Sequence, residues 1–414
     1  MRMTIPGLVL LLMMSCTTTT KPWTPTRKSS DAPFHNVVLV VIDTLRADTA
    51  RTAHTPVLDS IAASGAEVPR AWASGTWTVP SIVSLFSGAP VRSHGWDLPA
   101  ARIGQYPDLP PIRLLAERLR DAGFDTTGLY ANPYLSEALG FDRGFNRWIR
   151  TTDSQLSSKL ASIVNQEVDP TRRQFFYLHL IGPHSPLRPS QASQRRAGVD
   201  SQWFDNSLGL QIGAAKRNQQ AGIRQAYRAA YGAVVEDTDV RLGQALSALG
   251  TLRDDALIIV TSDHGELLGE HDTMGHGRHV LEPLTHVPLI AGDVSSLPPT
   301  MTIDAIPDLV TRLTGLASDW TTTAGPGMPL VSQREGQVAL SIDGVEKGVW
   351  GPQDAQAFHL ERDPGEVSPT PMTAALQEAH TNWIQAISPA EPSALIHSLP
   401  PQAQSELRAL GYAE

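Results

Sequence analysis

The sequence ALIIVTSDHGELLGEHDTMGH, residues 256–276, begins with a short apolar run and then becomes abruptly polar. Leu257–Val260 is rich in β-branched residues, which predicts a strand buried on both faces of a parallel sheet. The run leads into Asp263, His264 and Gly265. In open α/β sheets ligands bind beyond the carboxyl ends of strands, and a carboxylate beside a neutral imidazole suits a divalent metal. A simple turn is the alternative, because Asp and Gly favour turns.

A second strand is predicted to end in the same way. Val37–Ile42 is another apolar, β-branched run, and Asp43 follows it directly. Taken alone, an aspartate at the end of a strand is most often a helix cap or a turn former. The repeated pattern favours a functional site over two unrelated turns.

The third segment, ASGTWTVPSIVSLFSG, covers residues 73–88. Pro80 and Gly88 delimit a short predicted helix, because Pro is favoured at the first turn and Gly just past the end. Thr78 is then just ahead of the helix N-terminus, where the partial positive charge stabilises an anion. Its hydroxyl could act as a nucleophile if a metal lowered its pKa. An N-cap threonine is the alternative reading.

Composition describes an ordinary globular chain. Its 414 residues are 41% hydrophobic and 18% charged, enough for one large core and a smaller second one. The formal net charge is −9, from 33 basic and 42 acidic residues, and no basic run interrupts the sequence. This argues against a nucleic-acid-binding surface.

The N-terminus predicts export. Residues 8–14 form an apolar run that is too short to span a bilayer but suits a signal sequence. Ser15 precedes Cys16, the sole cysteine, and this resembles a bacterial lipoprotein box. We therefore expect a signal peptide over 1–16, a lipidated Cys16, a flexible tether over 17–33 and an extracytoplasmic location in the periplasm or at the outer membrane. Plain secretion is the alternative, and a lone cysteine excludes an internal disulfide either way.

The remaining pattern describes a scaffold. It predicts a long helix over 225–249, whose acids Glu236, Asp237 and Asp239 are expected to form a solvated face. Residues 190–218 are polar and predict a surface insertion near the site. In the C-terminal part the pattern predicts strands near 337–342 and 357–360 and helices near 373–387 and 402–410.

Several of these strings together resemble the sulfatase family, within the alkaline phosphatase superfamily. No single string is specific, but they follow one another in the family order over nearly all of the chain after the tether. The strings are VIDTLRAD (41–48), TWTVPSIVSLFSG (76–88), SHG (93–95), FYLHLIGPHSP (176–186), SDHGE (262–266) and GHG (275–277). The resemblance implies an α/β fold with a helix-flanked, mostly parallel central sheet. It also implies a catalytic domain over 34–318 and a small α+β subdomain over 319–414.

The resemblance implies one divalent cation, held by Asp43, Asp263 and His264. Calcium or manganese is the expected ion, with magnesium or zinc as alternatives. Sulfatases commonly carry a second acid directly after the first, but Thr44 stands there in this chain. The metal site would therefore need the nucleophile to complete it. His271 and His279 could serve a second metal, yet no further acid matches one, so a single ion is preferred.

The largest departure from the family lies at the nucleophile. Family sulfatases convert a cysteine or serine into formylglycine at the position that is Thr78 here, and Ile82 stands at the family's arginine position. No formylglycine is therefore expected. Threonine nucleophiles belong to the phosphate-handling branches of the superfamily. The family's sulfate-binding lysine is also missing, because its segment reads Tyr130-Ala131-Asn132.

Three histidines and one arginine complete the predicted site and its surroundings. His184 matches the family's histidine near the leaving group and is predicted to be its general acid, with a loop histidine as the alternative. His276 is predicted to stabilise charge on the non-bridging oxygens. Arg46 and His94 are predicted to pack around the site rather than react.

These predictions converge on a metal-dependent hydrolase of a sulfate or phosphate ester, with Thr78 as the nucleophile and a small-molecule or glycan ester as the substrate. A transferase that passes a phosphoryl-linked headgroup to an alcohol is one alternative. A catalytically inactive surface lipoprotein that binds an anion or a glycan is another.

Overall fold

The computed structural model describes residues 26–97, 109, 111–199, 222–318, 320, 328–390 and 398–410. The predicted signal peptide, Cys16, most of the predicted tether and residues 200–218 of the predicted insertion lie outside the described residues. Of the helices described, none has both the length and the apolar composition needed to cross a membrane.

Strands and helices are interspersed along the first three quarters of the chain. The strands are β1 Asn36–Ile42, β2 Ala66–Glu67, β3 Arg70–Trp72, β4 Asp125–Tyr130, β5 Arg147–Arg150, β6 Gln174–Leu180, β7 Ala256–Thr261, β8 Leu267–Leu268, β9 Met274–Gly275, β10 His286–Val287, β11 Leu289–Ala291, β12 Thr300–Thr302, β13 Leu330–Arg334, β14 Gln337–Ser341, β15 Glu346–Trp350 and β16 Ala355–His359. The helices are α1 Ala47–Thr52, α2 Pro56–Ser64, α3 Thr78–Ser87, α4 Val91–His94, α5 Leu115–Asp121, α6 Asp153–Gln166, α7 Gln191–Ala197, α8 Ile223–Ala248, α9 Glu282–Thr285, α10 Ile306–Leu313, α11 Ala374–Ala386 and α12 Pro401–Ala409.

The central sheet has seven strands in the order β2-β11-β7-β1-β6-β4-β5. Strand β1 pairs in parallel with both β7 and β6, and β4 pairs in parallel with β6 and β5. Only the β11 pairings with β7 and β2 are antiparallel. The predicted α/β class with a helix-flanked, mostly parallel sheet is confirmed.

The central strands of the sheet are mostly apolar and are buried on both faces. All seven residues of β1 are buried. Val37, Leu39 and Val41 join the core that includes α3 and α10, whereas the even-numbered residues between them join the core that includes α6 and α8. This alternation follows from the two-residue period of a strand. Because Asp43 is the next odd-numbered residue after β1, the same alternation directs its side chain toward the face covered by α3.

Two local predictions need correction. Helix α3 begins at Thr78, two residues before the predicted start at Pro80, so Thr78 is its first residue rather than a residue ahead of it. Asp239 of α8 is not on a solvated face. It is buried and accepts hydrogen bonds of 2.9 Å from the backbone N–H groups of Val57 and Leu58, at the N-terminus of α2. A carboxylate at a helix N-terminus satisfies amides that have no partner inside the helix.

The C-terminal part forms an antiparallel sheet in the order β13-β14-β15-β16. Two of these strands were predicted, and β13 and β15 were not. Helix α11 packs on this sheet through Leu376 and Trp383. Helix α12 instead packs against the main core through Ala403 and Leu407. The last described helix therefore returns to the central sheet's layer.

Candidate active site at the carboxyl edge of the sheet

Three parallel strands deliver polar side chains to one edge of the sheet. Asp43 follows β1, Asp263 follows β7 and Asn132 follows β4, and all three are fully buried. Because β7, β1, β6 and β4 are neighbours in the sheet, these chain positions meet although they are far apart in sequence. The edge is the one at which open α/β sheets bind ligands.

Asp43, Asp263 and His264 form a compact cluster, in which one ligand atom of each lies within 4.8 Å of the others. His264 Nε2 is 3.8 Å from Asp43 Oδ1 and 3.5 Å from Asp263 Oδ2. These same three atoms are buried and have no hydrogen-bond partner. Buried polar atoms are normally satisfied, so three unsatisfied atoms that face one another indicate an ion between them.

Local hydrogen bonds fix the orientation of this cluster. Asp263 Oδ1 accepts from the backbone N–H of His264 at 2.9 Å and from that of Thr44 at 3.2 Å. His264 Nδ1 lies 2.9 Å from the carbonyl oxygen of Gly265, which places the proton on Nδ1 and leaves the lone pair of Nε2 for a metal. A Cβ atom at Gly265 would lie 1.9 Å from the carbonyl oxygen of Pro283, so the chain requires glycine there.

The electrostatics of the cluster fit a divalent cation. Burial, followed by the charge of Asp263, raises the pKa of Asp43 well above its ordinary value. Burial also lowers the pKa of His264, which keeps its imidazole neutral. Two buried carboxylates side by side repel each other, and a cation between them removes that cost. The cluster can therefore hold one metal ion, and its donor set of two carboxylates and one imidazole suits several divalent metals.

Thr78 lies against this cluster. It is fully buried at the start of α3, and its hydroxyl is 3.5 Å from Asp43 Oδ2. The side-chain amide of Asn132 donates to that hydroxyl at 3.2 Å and to Asp43 Oδ2 at 2.7 Å. The ten residues of α3 direct their N-terminal partial positive charge at the same point.

His184 and His276 lie next to each other on the other side of His264. Their ring centroids are 5.1 Å apart, and the His276 ring is 4.5 Å from the His264 ring. His276 Nδ1 is 3.3 Å from both carboxylate oxygens of the buried Glu266. His184 Nδ1 is 2.6 Å from the carbonyl oxygen of Ser185. The structure thus brings all six predicted site residues to one place, while their roles stay predictions.

Arg46 and His94 support the site without entering it. Arg46 binds Asp48, Glu270 and the backbone carbonyl of Glu266, at 2.6 to 3.0 Å. It thereby holds the segment that carries Glu266. His94 hydrogen-bonds Ser84 of α3 at 2.8 Å.

Two histidines considered for a second metal lie elsewhere. His271 Nε2 is 2.7 Å from the carbonyl oxygen of Gly365. His271 and His279 both line a separate cavity beside the C-terminal sheet. Among the residues that the structure describes, the Asp43 cluster is the one group with metal-binding geometry. The number of ions bound stays a prediction.

Sequence reasoning missed Asn132, Glu266 and His179. Asn132 stands two residues after the end of β4, so the strand-end pattern could have identified it. Glu266 carried no such signal, because it stands further from the end of its strand, two positions after His264. His179 lies inside β6, fully buried, with Nε2 3.9 Å from Asp43 Oδ2 and neither ring nitrogen hydrogen-bonded. Burial lowers its pKa to about 4.

The model of the sulfatase family matches residues 35–300. The chain belongs to the sulfatase family. The matched segment contains every residue of the site described above. This confirms the family and the fold that the sequence resemblance implied.

Relatives of this sulfatase-family chain include the Low-salt glycan biosynthesis sulfotransferase Agl7 of Haloferax volcanii. The two are 26% identical over 270 residues, which cover 63% of this chain and 55% of the relative. The chain thus spans about half the length of the curated relative that it matches.

Solved structures share the fold. A protein in complex with its substrate D-glucosamine-2-N,6-O-disulfate has a TM-score of 0.65 at 13% identity, covering 92% of this chain and 98% of its own. The phosphonate monoester hydrolase of Agrobacterium radiobacter has a TM-score of 0.64 at 16% identity, covering 86% and 94%. At these identities the likeness shows the fold alone. One of these two neighbours has a sulfated sugar as its substrate, and the other is named a phosphonate monoester hydrolase.

Proposed function

We propose that this sulfatase-family chain hydrolyses a sulfate or phosphate ester through a covalent ester of Thr78, with one divalent cation bound by Asp43, Asp263 and His264. The observation that carries the proposal is the position of the Thr78 hydroxyl. It is fully buried at the start of α3, 3.5 Å from a carboxylate of the metal cluster. An N-cap role does not account for it, because Thr78 is the first helical residue and Trp77 is the cap.

The bound cation would supply positive charge that lowers the pKa of the attacking hydroxyl and neutralises the oxygens of the ester. The residues of the chain add to this. The N-terminus of α3 and the amide of Asn132 stabilise negative charge on Thr78 Oγ1 as it attacks. The hydroxyl would release its proton to water once its pKa is lowered; the new bond then joins Oγ1 to sulfur or phosphorus, and the bond to the leaving oxygen breaks.

His184 is the proposed proton carrier for the leaving oxygen. Burial and the neighbouring His276 lower the pKa of His184 to about 3, so its imidazole is neutral before substrate binds. The negative charge of a bound ester raises that pKa, because an opposite charge nearby favours the imidazolium. His184 then protonates the departing alcohol, and in the second step it takes a proton from the water that attacks the Thr78 ester.

His276 is the proposed contact for a non-bridging oxygen. It stands between His184 and His264, and the carboxylate of Glu266 beside Nδ1 favours the protonated ring. A protonated imidazole there would stabilise charge that develops on the transferred group.

A phosphate ester is the preferred substrate. A formylglycine hydrate can expel sulfate without water attacking sulfur, but a threonine ester must be opened by a second attack at the central atom. Threonine at position 78 therefore favours phosphoryl chemistry, although the family name favours sulfate.

A transferase is the second candidate, and one specific observation favours it. The curated relative from Haloferax volcanii is named a sulfotransferase. In a transferase an alcohol, rather than water, would resolve the Thr78 ester. The two functions differ in whether an added alcohol appears in the product.

We also propose that the chain is a lipoprotein anchored through Cys16, outside the cytoplasm. The sequence of residues 8–16 supports this proposal. In a bacterial host, Cys16→Ser should abolish lipidation, so that the protein appears in the soluble fraction or retains its signal peptide. An unchanged distribution would contradict the anchor.

The decisive experiment measures turnover of three matched esters by the purified protein: 4-nitrophenyl sulfate, 4-nitrophenyl phosphate and bis(4-nitrophenyl) phosphate. Each is tested with Ca²⁺, Mn²⁺, Mg²⁺ or Zn²⁺, and with added glycerol to detect transfer. Thr78→Ala should abolish activity. Thr76→Ala, which removes another buried hydroxyl of the same segment, is the control. Activity that survives Thr78→Ala would refute the nucleophile. Metal binding without any turnover would favour the inactive anion-binding alternative.

A further inference from the structure

A cavity of about 720 Å³ opens beside His184. Pro133, next to Asn132, and Gly182, at the end of β6, contribute to its wall near the site. Helix α12 forms part of the opposite wall through Gln402 and Glu406. The cavity therefore extends from the proposed proton carrier to the C-terminal helix.

The cavity is rich in basic side chains. Its lining includes four of them, at Arg150, Lys159, Arg188 and Arg241. This concentration is unusual for a chain whose formal net charge is −9. It contrasts with the metal cluster, where the side chains are acidic.

Two of the four basic side chains are paired with the acids of the cavity. Arg150 forms an ion pair with Glu406 of α12. Arg241 Nη1 is 3.5 Å from Asp153 Oδ2, whose carboxylate also accepts backbone N–H groups of Ile181 and Gly182 at 2.8 and 2.9 Å. The carboxylate of Asp153 thus interacts with two backbone N–H groups as well as with Arg241, and its distance to Arg241 is long for an ion pair.

Within the described residues, the other two basic side chains pair with no acid. Lys159 donates a hydrogen bond of 3.0 Å to the backbone carbonyl of Arg150, which offers no negative charge. Within the described part of the chain, neither Lys159 nor Arg188 forms an ion pair. Lys159 is half-buried, so its surplus charge is partly removed from water. A surplus of two positive charges in a concave site attracts anions.

We infer that this cavity binds the leaving alcohol of the substrate and that this alcohol carries a further anionic group, a carboxylate, a sulfate or a phosphate. The leaving-group assignment rests on the proposed function, because it places His184 at the leaving oxygen. The anion preference rests on the cavity alone. Lys159 and Arg188 hold the anionic group, and a neutral alcohol of the same size leaves their charges uncompensated.

The first test is binding to the full-length Thr78→Ala protein, measured by titration calorimetry without turnover. The probes are D-glucose, D-glucuronate, D-glucose 6-sulfate and D-glucose 6-phosphate, which separate the three anionic groups from the neutral sugar. We expect at least one charged hexose to bind about tenfold or more tightly than glucose. The double substitution Lys159→Met with Arg188→Met should remove that preference. Arg172→Met, an exposed arginine outside the cavity lining, should leave it unchanged.

Three results would each overturn the inference. Glucose and all charged hexoses could bind equally, no hexose could bind, or the charge preference could survive the double substitution. The second test separates this failure from failure of the proposed function. It uses the wild-type protein, which retains Thr78, and compares the KM for 4-nitrophenyl phosphate with the KM for 3-carboxy-4-nitrophenyl phosphate. Turnover with equal KM values, unaffected by the double substitution, would retain the hydrolase and refute the leaving-group assignment. Charge-selective binding without turnover would refute the hydrolase and retain the anion site.

Discussion

The side-chain amide of Asn132 donates a hydrogen bond of 2.7 Å to Asp43 Oδ2. The same nitrogen lies 3.2 Å from the hydroxyl of Thr78. One amide therefore ties the first acid of the metal cluster to the proposed nucleophile. The sulfate-binding lysine that the family resemblance led us to look for in this segment is absent.

Replacement of Asn132 should impair the chemical step. In Asn132→Ala the hydroxyl of Thr78 loses a donor that stabilises its negative charge, and kcat should fall about 10²- to 10³-fold while KM changes little. Asn132→Asp keeps the shape but adds a carboxylate beside Asp43, so it should lose at least as much. Steady-state kinetics on the preferred 4-nitrophenyl ester measure both. Unchanged kcat in Asn132→Ala would remove the amide from the mechanism.

Metal binding should reverse the stability ranking of the wild type and Asp43→Asn. Without metal, two buried carboxylates repel each other and the pKa of Asp43 is raised, so Asp43→Asn should unfold at a higher temperature than the wild type in EDTA. At metal concentrations of about 100 times the dissociation constant, the wild type should gain about 2.7 kcal/mol and the variant little. Thermal unfolding over a metal titration measures this.

The control for that experiment is Asp48→Asn, which removes a carboxylate outside the cluster. It should retain the full metal-dependent gain. An equal gain in Asp43→Asn and the wild type would mean that the ion binds elsewhere.

The sequence predicted that Asp43, Asp263 and His264 lie close together because of one physical regularity. Parallel strands buried on both faces read as apolar runs, and the residues just after such runs share one edge of the sheet. Asp43, Asp263 and His264 all follow from this rule. The strand bounds were also close, since β14 covers Gln337–Ser341 against the predicted 337–342. Thr78 followed from the helix-start pattern, to within two residues.

The missed features depend on tertiary contacts that local patterns do not encode. Asp239 was misjudged because an acid on a helix carries the same local signal whether it faces water or caps another helix. His179 stands in an apolar strand, and only the pairing of Val41 with His179 places it beside Asp43. The strands β13 and β15 were missed because their short, mixed composition gives a weak periodic signal.

The pair of Glu266 and His276 should control how transferred oxygens are held. Glu266→Gln keeps a hydrogen-bond acceptor but removes the negative charge that favours a protonated His276. We expect kcat/KM to fall about tenfold to a hundredfold, because the neutral amide stabilises positive charge on the ring less than the carboxylate does. Steady-state kinetics on the preferred ester measure this. An unchanged kcat/KM would mean that the charge of Glu266 has no part in the mechanism.

His94 should make the fold sensitive to acid. Its Nδ1 accepts the backbone N–H of Trp96 at 3.1 Å, and Nε2 contacts Ser84 at 2.8 Å, so a second ring proton would face an N–H donor. Burial lowers the pKa of His94 to about 3, below its ordinary value of 6.5. The unfolded chain therefore binds more protons between these values, and the free energy of unfolding falls as pH drops from 6.5 toward 3. This residue contributes up to about 1.4 kcal/mol per pH unit to the pH dependence of the free energy of unfolding.

Denaturant unfolding measures this. His94→Gln should show a correspondingly shallower pH dependence, with the exposed His54→Gln as the control. Parallel profiles for His94→Gln and the wild type would refute the assignment.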